Sequence, residues 1–299
     1  EFNATNNSLD CIEVNEEDVD YATENWTYAN ENIDEGVEFS VVCAPEGYTY
    51  VPGNNFEQAL IDLGYDTALD DFVLTENISG VTILNVSSKS ISDLTGIEGF
   101  TALTELYCYD NSLTSIDVSS NTALTKLYPS NNQLISIDVS NNTALTNLSL
   151  TDNQLTALDV SNNTALTSLT FVSNQLASVD VSNNTALTIL ECGFNQLTSL
   201  DLSANTALTT LRCQSNQLTS LDVSANTSLT ELFCYSNQLT SLDVSANTSL
   251  TELYCYGNGL TSLDVSANTS LTELFCYSNQ LTSLDVSANT ALTSLKCQS

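Results

Sequence analysis

One phrase, LTELFCYSNQLTSLDVSANTS at residues 229–249, recurs with drift from Leu103 to the end of the chain, and this 21-residue period constrains the fold more tightly than any other feature. Self-similarity at a period of roughly 20 to 29 residues belongs to stacked coils, in which one coil cannot bury its apolar side alone and needs a neighbour on each face. Units open at Val81, Leu103, Leu124, Leu145, Leu166, Leu187, Leu208, Leu229, Leu250 and Leu271, and a half unit opens at Leu292. With neighbouring strands about 4.8 Å apart, the stack is on the order of 50 Å long.

The phrase is itself doubled. In the unit that opens at Leu229, Leu229, Leu232, Cys234 and Asn237 occupy positions 1, 4, 6 and 9, and Leu239, Leu242, Val244 and Asn247 occupy 11, 14, 16 and 19. Apolar residues two apart put both side chains of a short strand on one inward face, so each coil is expected to be a flattened tube with a strand on each side. Asparagines close both halves, in one row from Asn111 to Asn279 and another from Asn121 to Asn289. Where the chain bends inward, its N–H and C=O groups need partners that a buried carboxamide supplies, so both rows read as structural.

Position 6 is cysteine in seven units, at Cys108, Cys192, Cys213, Cys234, Cys255, Cys276 and Cys297, and Val86, Pro129, Leu150 or Phe171 elsewhere. A slot that accepts apolar residues of several sizes is a core slot, so the thiols read as small buried hydrophobes and not as metal ligands. Position 15 is aspartate in every full unit from Asp117 to Asp285 and points outward. Such a row calls for hydroxyl donors from flanking Ser and Thr, or for a cation; single carboxylates give calcium too few oxygens, which favours the hydrogen-bonded row. No cofactor and no metal site are expected, with calcium at the aspartate row as the minor alternative.

The other outward strand positions vary. Positions 3, 5 and 7 read Glu231/Phe233/Tyr235, Glu252/Tyr254/Tyr256 and Glu273/Phe275/Tyr277 in three successive coils, and Tyr107, Tyr109 and Tyr128 form a second patch nearer the start. Ser149, Thr170, Glu191 and Arg212 separate the two. Aromatics beside carboxylates suit a protein interface or stacking on sugar rings; alternatively the rings merely stack along the coils.

On these residues the repeats resemble the bacterial leucine-rich-repeat proteins of the short, doubled-period IRREKO type, over about two-thirds of the chain. The first unit, VTILNVSSKSISDLTGIEGFTALTELYC at 81–108, is more similar to an internalin repeat, and VPGNNFEQALIDLGYDTALDDFVLTENISGV at 51–81 to the segment preceding the repeats in such secreted proteins. The resemblance implies a β-rich leucine-rich-repeat solenoid with 21-residue coils, short parallel strands on both sides and a small helical N-terminal cap. It carries over no catalytic residues and implies a secreted or cell-surface interaction module.

Charge narrows the partners. The chain has 37 acidic and 4 basic residues, a net charge of −33, which opposes binding to nucleic acid and to anionic membrane surfaces. No apolar run approaches the length of a membrane span, no signal peptide is visible, and the chain does not begin with Met, so it reads as a processed extracellular segment. Without histidine there is no histidine-based triad or relay, no phosphate-cradling Gly-rich loop occurs, and no enzyme activity is expected.

Residues 1–45 form an acidic segment outside the repeats, whose Cys11 and Cys43 read as a disulfide worth roughly 3 kcal/mol, with two free thiols as the alternative. Residues 46–80 form the cap, with a helix over 54–64: Asn54 as N-cap, Glu57 three residues on, Phe56, Leu60 and Leu63 on the buried face, and Gly64 as terminator. The solenoid runs over 81–299, and its final half coil leaves Leu292, Leu295 and Cys297 uncovered. Either further chain covers that end, or it docks on another copy in a head-to-tail contact able to grow into a fibre.

Candidate glycosylation sites are Asn3, Asn6, Asn25, Asn77, Asn85, Asn141, Asn147, Asn162 and Asn183, with Thr67 in Asp66-Thr67-Ala68 resembling a bacterial O-glycosylation site. The sequence thus reads as an extracellular, non-enzymatic adhesion scaffold that engages a protein or glycan through its aromatic strand face, with a head-to-tail structural subunit as the alternative.

Overall fold

The computed structural model describes residues 42–298 and, before them, residues 4, 11–14, 19–27, 33 and 37–40. In the N-terminal segment, strand β1 (Cys11–Glu13) precedes helix α1 (Val19–Asn25) and pairs in parallel with β2 (Glu38–Ser40). The expected disulfide is formed: Cys11 and Cys43 are bonded, with Cα atoms 5.7 Å apart.

The cap is an antiparallel pair, β3 (Tyr48–Tyr50) and β4 (Phe72–Leu74), around helix α2 (Asn54–Asp62), followed by the short α3 (Thr75–Ile78). Helix α2 differs from its sequence expectation at both ends. Gly53, not Asn54, is the N-cap, and no side chain caps the helix. Asn54 has no capping role because the chain is already helical there, and the Asn55 amide reaches out to the Ser90 carbonyl at 2.6 Å. Glu57 turns inward and accepts the Asp70 N–H at 2.8 Å instead of closing a capping box. At the other end Gly64 adopts φ 80° as expected, and the Tyr65 N–H bonds back to the Leu60 carbonyl at 2.9 Å, the closing bond of a left-handed helix terminus. The helix has therefore ended before Leu63, which is 44 % exposed, and Ala59 joins Phe56 and Leu60 on the buried face.

Eleven three-residue strands then form one parallel sheet in chain order. They are β5 (Ile83–Asn85), β6 (Glu105–Tyr107), β7 (Lys126–Tyr128), β8 (Asn147–Ser149), β9 (Ser168–Thr170), β10 (Ile189–Glu191), β11 (Thr210–Arg212), β12 (Glu231–Phe233), β13 (Glu252–Tyr254), β14 (Glu273–Phe275) and β15 (Ser294–Lys296). The central leucines face each other in strict register, Leu211 to Leu232 to Leu253 to Leu274. From β5 to β14 each strand buries its middle residue between two outward ones, and Cys108, Cys192, Cys213, Cys234, Cys255 and Cys276 are sealed in the core. This is the leucine-rich-repeat solenoid with 21-residue coils.

The second strand of each coil is absent among the described residues. Leu242 and Val244 are buried as the pattern requires, but their segment forms no strand ladder with its neighbours. Local chemistry explains it. The aspartate at position 15 accepts the N–H of the serine two residues on, as in Asp222 with Ser224 and Asp243 with Ser245, each at 2.9 Å. A side chain that takes a backbone donor this way competes with sheet formation.

The two asparagine rows fasten the turns. Asn237 accepts the Leu218 N–H at 3.0 Å and donates to the carbonyls of Cys213, Cys234 and Tyr235 at 3.1–3.4 Å. Asn247 donates to Val223 and Asn226 carbonyls at 2.9 Å. A row of threonines adds to them: Thr230 Oγ1 donates to the Thr209 carbonyl at 3.1 Å, and Thr251 to Thr230 at 3.0 Å, so these hydroxyls are engaged in the stack.

Candidate interaction surface

The outward residues of β12, β13 and β14 lie one above another because the register is strict and every coil has the same length. Two columns of rings result. Phe233, Tyr254 and Phe275 stack with centroids 4.2 and 4.4 Å apart and planes within 11° of parallel. Tyr235, Tyr256 and Tyr277 form the second column, with 4.3 Å between successive centroids. Cations close the first column at both ends: the Arg212 guanidinium lies 4.9 Å from the Phe233 centroid and the Lys296 ammonium 4.2 Å from that of Phe275. Each such contact contributes about 0.5–1 kcal/mol where solvent reaches it.

Stacking decides what this surface can offer. The six rings are half-buried, and most of their faces are covered by each other or by Arg212 and Lys296, so they present mainly edges and hydroxyls. Sugar recognition by stacking needs a free ring face, whereas edges, hydroxyls and flanking carboxylates suit the core of a protein contact.

A row of carboxylates runs beside the rings. Glu231 bonds Arg212 at 2.9 Å, and Arg212 also holds Glu191 at 2.8 Å. Glu273 accepts the Tyr254 hydroxyl at 2.6 Å, which, after burial, is what drives the phenol pKa up. Glu252 lies between the other two and has its pKa raised, first by burial and then by Glu231 and Glu273, with Arg212 opposing. The face is therefore anionic, with its one guanidinium already engaged by two carboxylates.

The first patch is smaller. Tyr107 and Tyr128 stack at 5.1 Å, and Glu105 accepts the Tyr107 hydroxyl at 2.6 Å while paired with Lys126 at 3.0 Å. Tyr109 is exposed and stands outside that stack. All twelve residues expected on the aromatic face thus lie on one side of the solenoid, in two groups.

Sequence reasoning missed Phe194. Position 8 takes a left-handed backbone in successive coils, with φ 54° at Ser236 and 65° at Gly257. Phe194 does so at φ 55° while 49 % exposed, a conformation costing a bulky residue about 1–3 kcal/mol. Its signal was legible as the one aromatic in a slot otherwise filled by Asp, Asn, Ser and Gly. Beside it, the buried Gln214 side chain approaches to 2.6 Å of where a Cβ would sit on Gly193, so a side chain there requires Gln214 to move.

Of the candidate glycosylation sites, Asn25, Asn77, Asn85, Asn141, Asn162, Asn183 and Thr67 are exposed. Asn147 is half-buried in β8, where it accepts the Thr146 hydroxyl at 2.9 Å, and Asn3 and Asn6 lie outside the described residues. No helix among the described residues is long and apolar enough to cross a membrane.

Comparison with known proteins agrees with this geometry. A family model described as leucine-rich repeats matches residues 227–268 and 248–296. Internalin J of Listeria monocytogenes is 43 % identical over 72 residues, which are 24 % of this chain and 8 % of that protein. The solved functional domain of Listeria InlJ, which includes a cysteine ladder, superposes with a TM-score of 0.74 at 36 % identity, covering 84 % of this chain and 61 % of the domain. A leucine-rich-repeat protein of Leptospira interrogans gives a TM-score of 0.64 at 28 % identity, over 68 % of this chain and 56 % of that one.

Proposed function

Since this chain is an internalin-like bacterial leucine-rich-repeat protein, we propose that it is a non-enzymatic extracellular scaffold that binds a protein partner through the strand face of β12, β13 and β14. The observation that carries the reading is the pair of stacked ring columns bordered by Glu231, Glu252 and Glu273. Aromatic stacks are rigid before binding, so contact with them costs little entropy, and hot spots of protein interfaces are enriched in tyrosine. The carboxylate row suits a partner with basic residues and makes association faster at low salt.

The test is a binding screen of the intact chain against purified cell-surface proteins and a glycan array. Tyr235→Ala combined with Tyr256→Ala should abolish capture of the protein hit and leave a cooperative melting curve. Unchanged capture removes this face from the account, and a glycan hit lost in the same variant replaces protein by sugar. Light scattering across concentrations tests the head-to-tail alternative, which needs particles that lengthen as concentration rises.

A further inference from the structure

Three carboxylates converge in the cap, away from the repeats. Glu57 on α2 and Asp66 and Asp70 on the loop that follows each bring an oxygen to within 4.8 Å of the others. Glu57 is 0 % exposed; its Oε1 takes the Asp70 N–H at 2.8 Å, but its Oε2 meets no donor among the described residues. Asp66 repeats the arrangement: Oδ1 accepts the Thr67 N–H at 2.8 Å, and Oδ2 is buried without a donor. Asp70 is exposed and accepts the Phe72 N–H at 3.2 Å through Oδ1.

No side-chain cation of the protein is placed to neutralise this cluster. The chain has 4 basic side chains. Lys89 is held by Asp62, Lys126 by Glu105, and Arg212 by Glu191 and Glu231, while Lys296 lies over Phe275. Carboxylates brought this close, with buried oxygens that meet no donor, repel unless a positive charge lies between them. Oxygen-only donors exclude the soft metals, and three carboxylates opening to solvent at Asp70 match the flexible oxygen coordination that calcium accepts and magnesium does not.

We propose that Glu57, Asp66 and Asp70 bind a calcium ion that ties the 66–70 loop to helix α2. Burial raises the Glu57 pKa in the metal-free protein, with the Asp70 and Asp71 N–H groups opposing it and the charges of Asp66 and Asp71 adding to it, so a proton on Glu57 is the rival occupant.

The experiment uses the intact chain, stripped with EDTA and titrated with calcium chloride by calorimetry and by thermal melting. One ion should bind, with a higher Tm. Glu57→Gln should abolish both responses, and Asp70→Asn, at an exposed position, should weaken affinity by about tenfold or more while leaving the EDTA-state Tm unchanged. The proposal is overturned by absence of heat and of any Tm change up to about 10 mM calcium, well above the range of extracellular calcium modules. It is equally overturned if binding persists unchanged in both variants, which would place the ion elsewhere.

Discussion

Positions 9 and 19 of each coil both carry a buried asparagine, yet the two halves of the coil treat them unequally. On the strand side Asn237 makes bonds through both its oxygen and its nitrogen, joining two coils at one point. On the far side the Asn247 nitrogen is satisfied but its buried oxygen meets no donor, and the same holds at every coil from Asn121 to Asn289. The neighbouring backbone makes the difference. Strand-side N–H groups point along the stack, so one at position 11 reaches the next carboxamide, whereas no far-side N–H among the described residues makes the corresponding bond. A repeated phrase thus sets where the chain turns, and the donors around each turn set how firmly it is tied.

The largest expected effect comes from breaking this inequality. Asn237→Ala orphans a buried N–H and several carbonyls and should cost about 3–4 kcal/mol, whereas Asn247→Ala removes two donated bonds along with an unsatisfied oxygen and should cost about 1–2 kcal/mol. Denaturant melts of the two variants compare them directly, and equal losses would mean that the rows are equivalent. Next is the strand-side turn, where Phe194→Asn relieves a left-handed aromatic and should stabilise by about 1 kcal/mol. If Phe194 belongs to the binding face, the same variant weakens capture of the partner.

The halves should also respond to acid in opposite senses. Glu252, on the strand side, is harder to ionise in the folded protein than its usual value of 4.5. Its protonation favours the fold, so stability rises as pH falls through its native pKa toward 4.5 and is lost as pH climbs back. Asp222, on the far side, is held below 3.8 by the hydroxyl and N–H of Ser224, so its contribution is present above that value and lost as pH falls through its native pKa. Thermal melts should therefore rise slightly on acidification from neutral pH and then drop, and Glu252→Gln should flatten the rise while leaving the drop. The smallest effect is local: Asp222→Asn keeps an acceptor for Ser224 and should match the parent at neutral pH, while Asp222→Ala should melt slightly earlier.

Much of this was legible from spacing alone. Leu232, Cys234, Leu242 and Val244 are buried where the period puts them, and the outward Phe233 and Tyr235 follow from strand alternation. The missing far strand was not legible, because the same apolar spacing serves a strand or an extended coil and only the Asp222-type turn decides between them. Nor was the capping of α2, since Glu57 answers to a loop whose approach depends on tertiary packing. The aromatic residues could be named in advance, but that their faces are spent on each other required the 4.2–4.4 Å spacings.

The account rests on which side chains the coils enclose, and thiol counting tests that directly. Burial pushes the Cys108 and Cys213 thiols up to about 12 and leaves six of the seven free cysteines inaccessible, with Cys297 alone exposed. Ellman's reagent on the native chain should consume one thiol equivalent, Cys297→Ser should reduce it to none, and denaturant should release the remaining six. Prompt native reaction of Cys234, Cys255 or Cys276 would contradict the enclosure and, with it, the outward placement of the aromatic face.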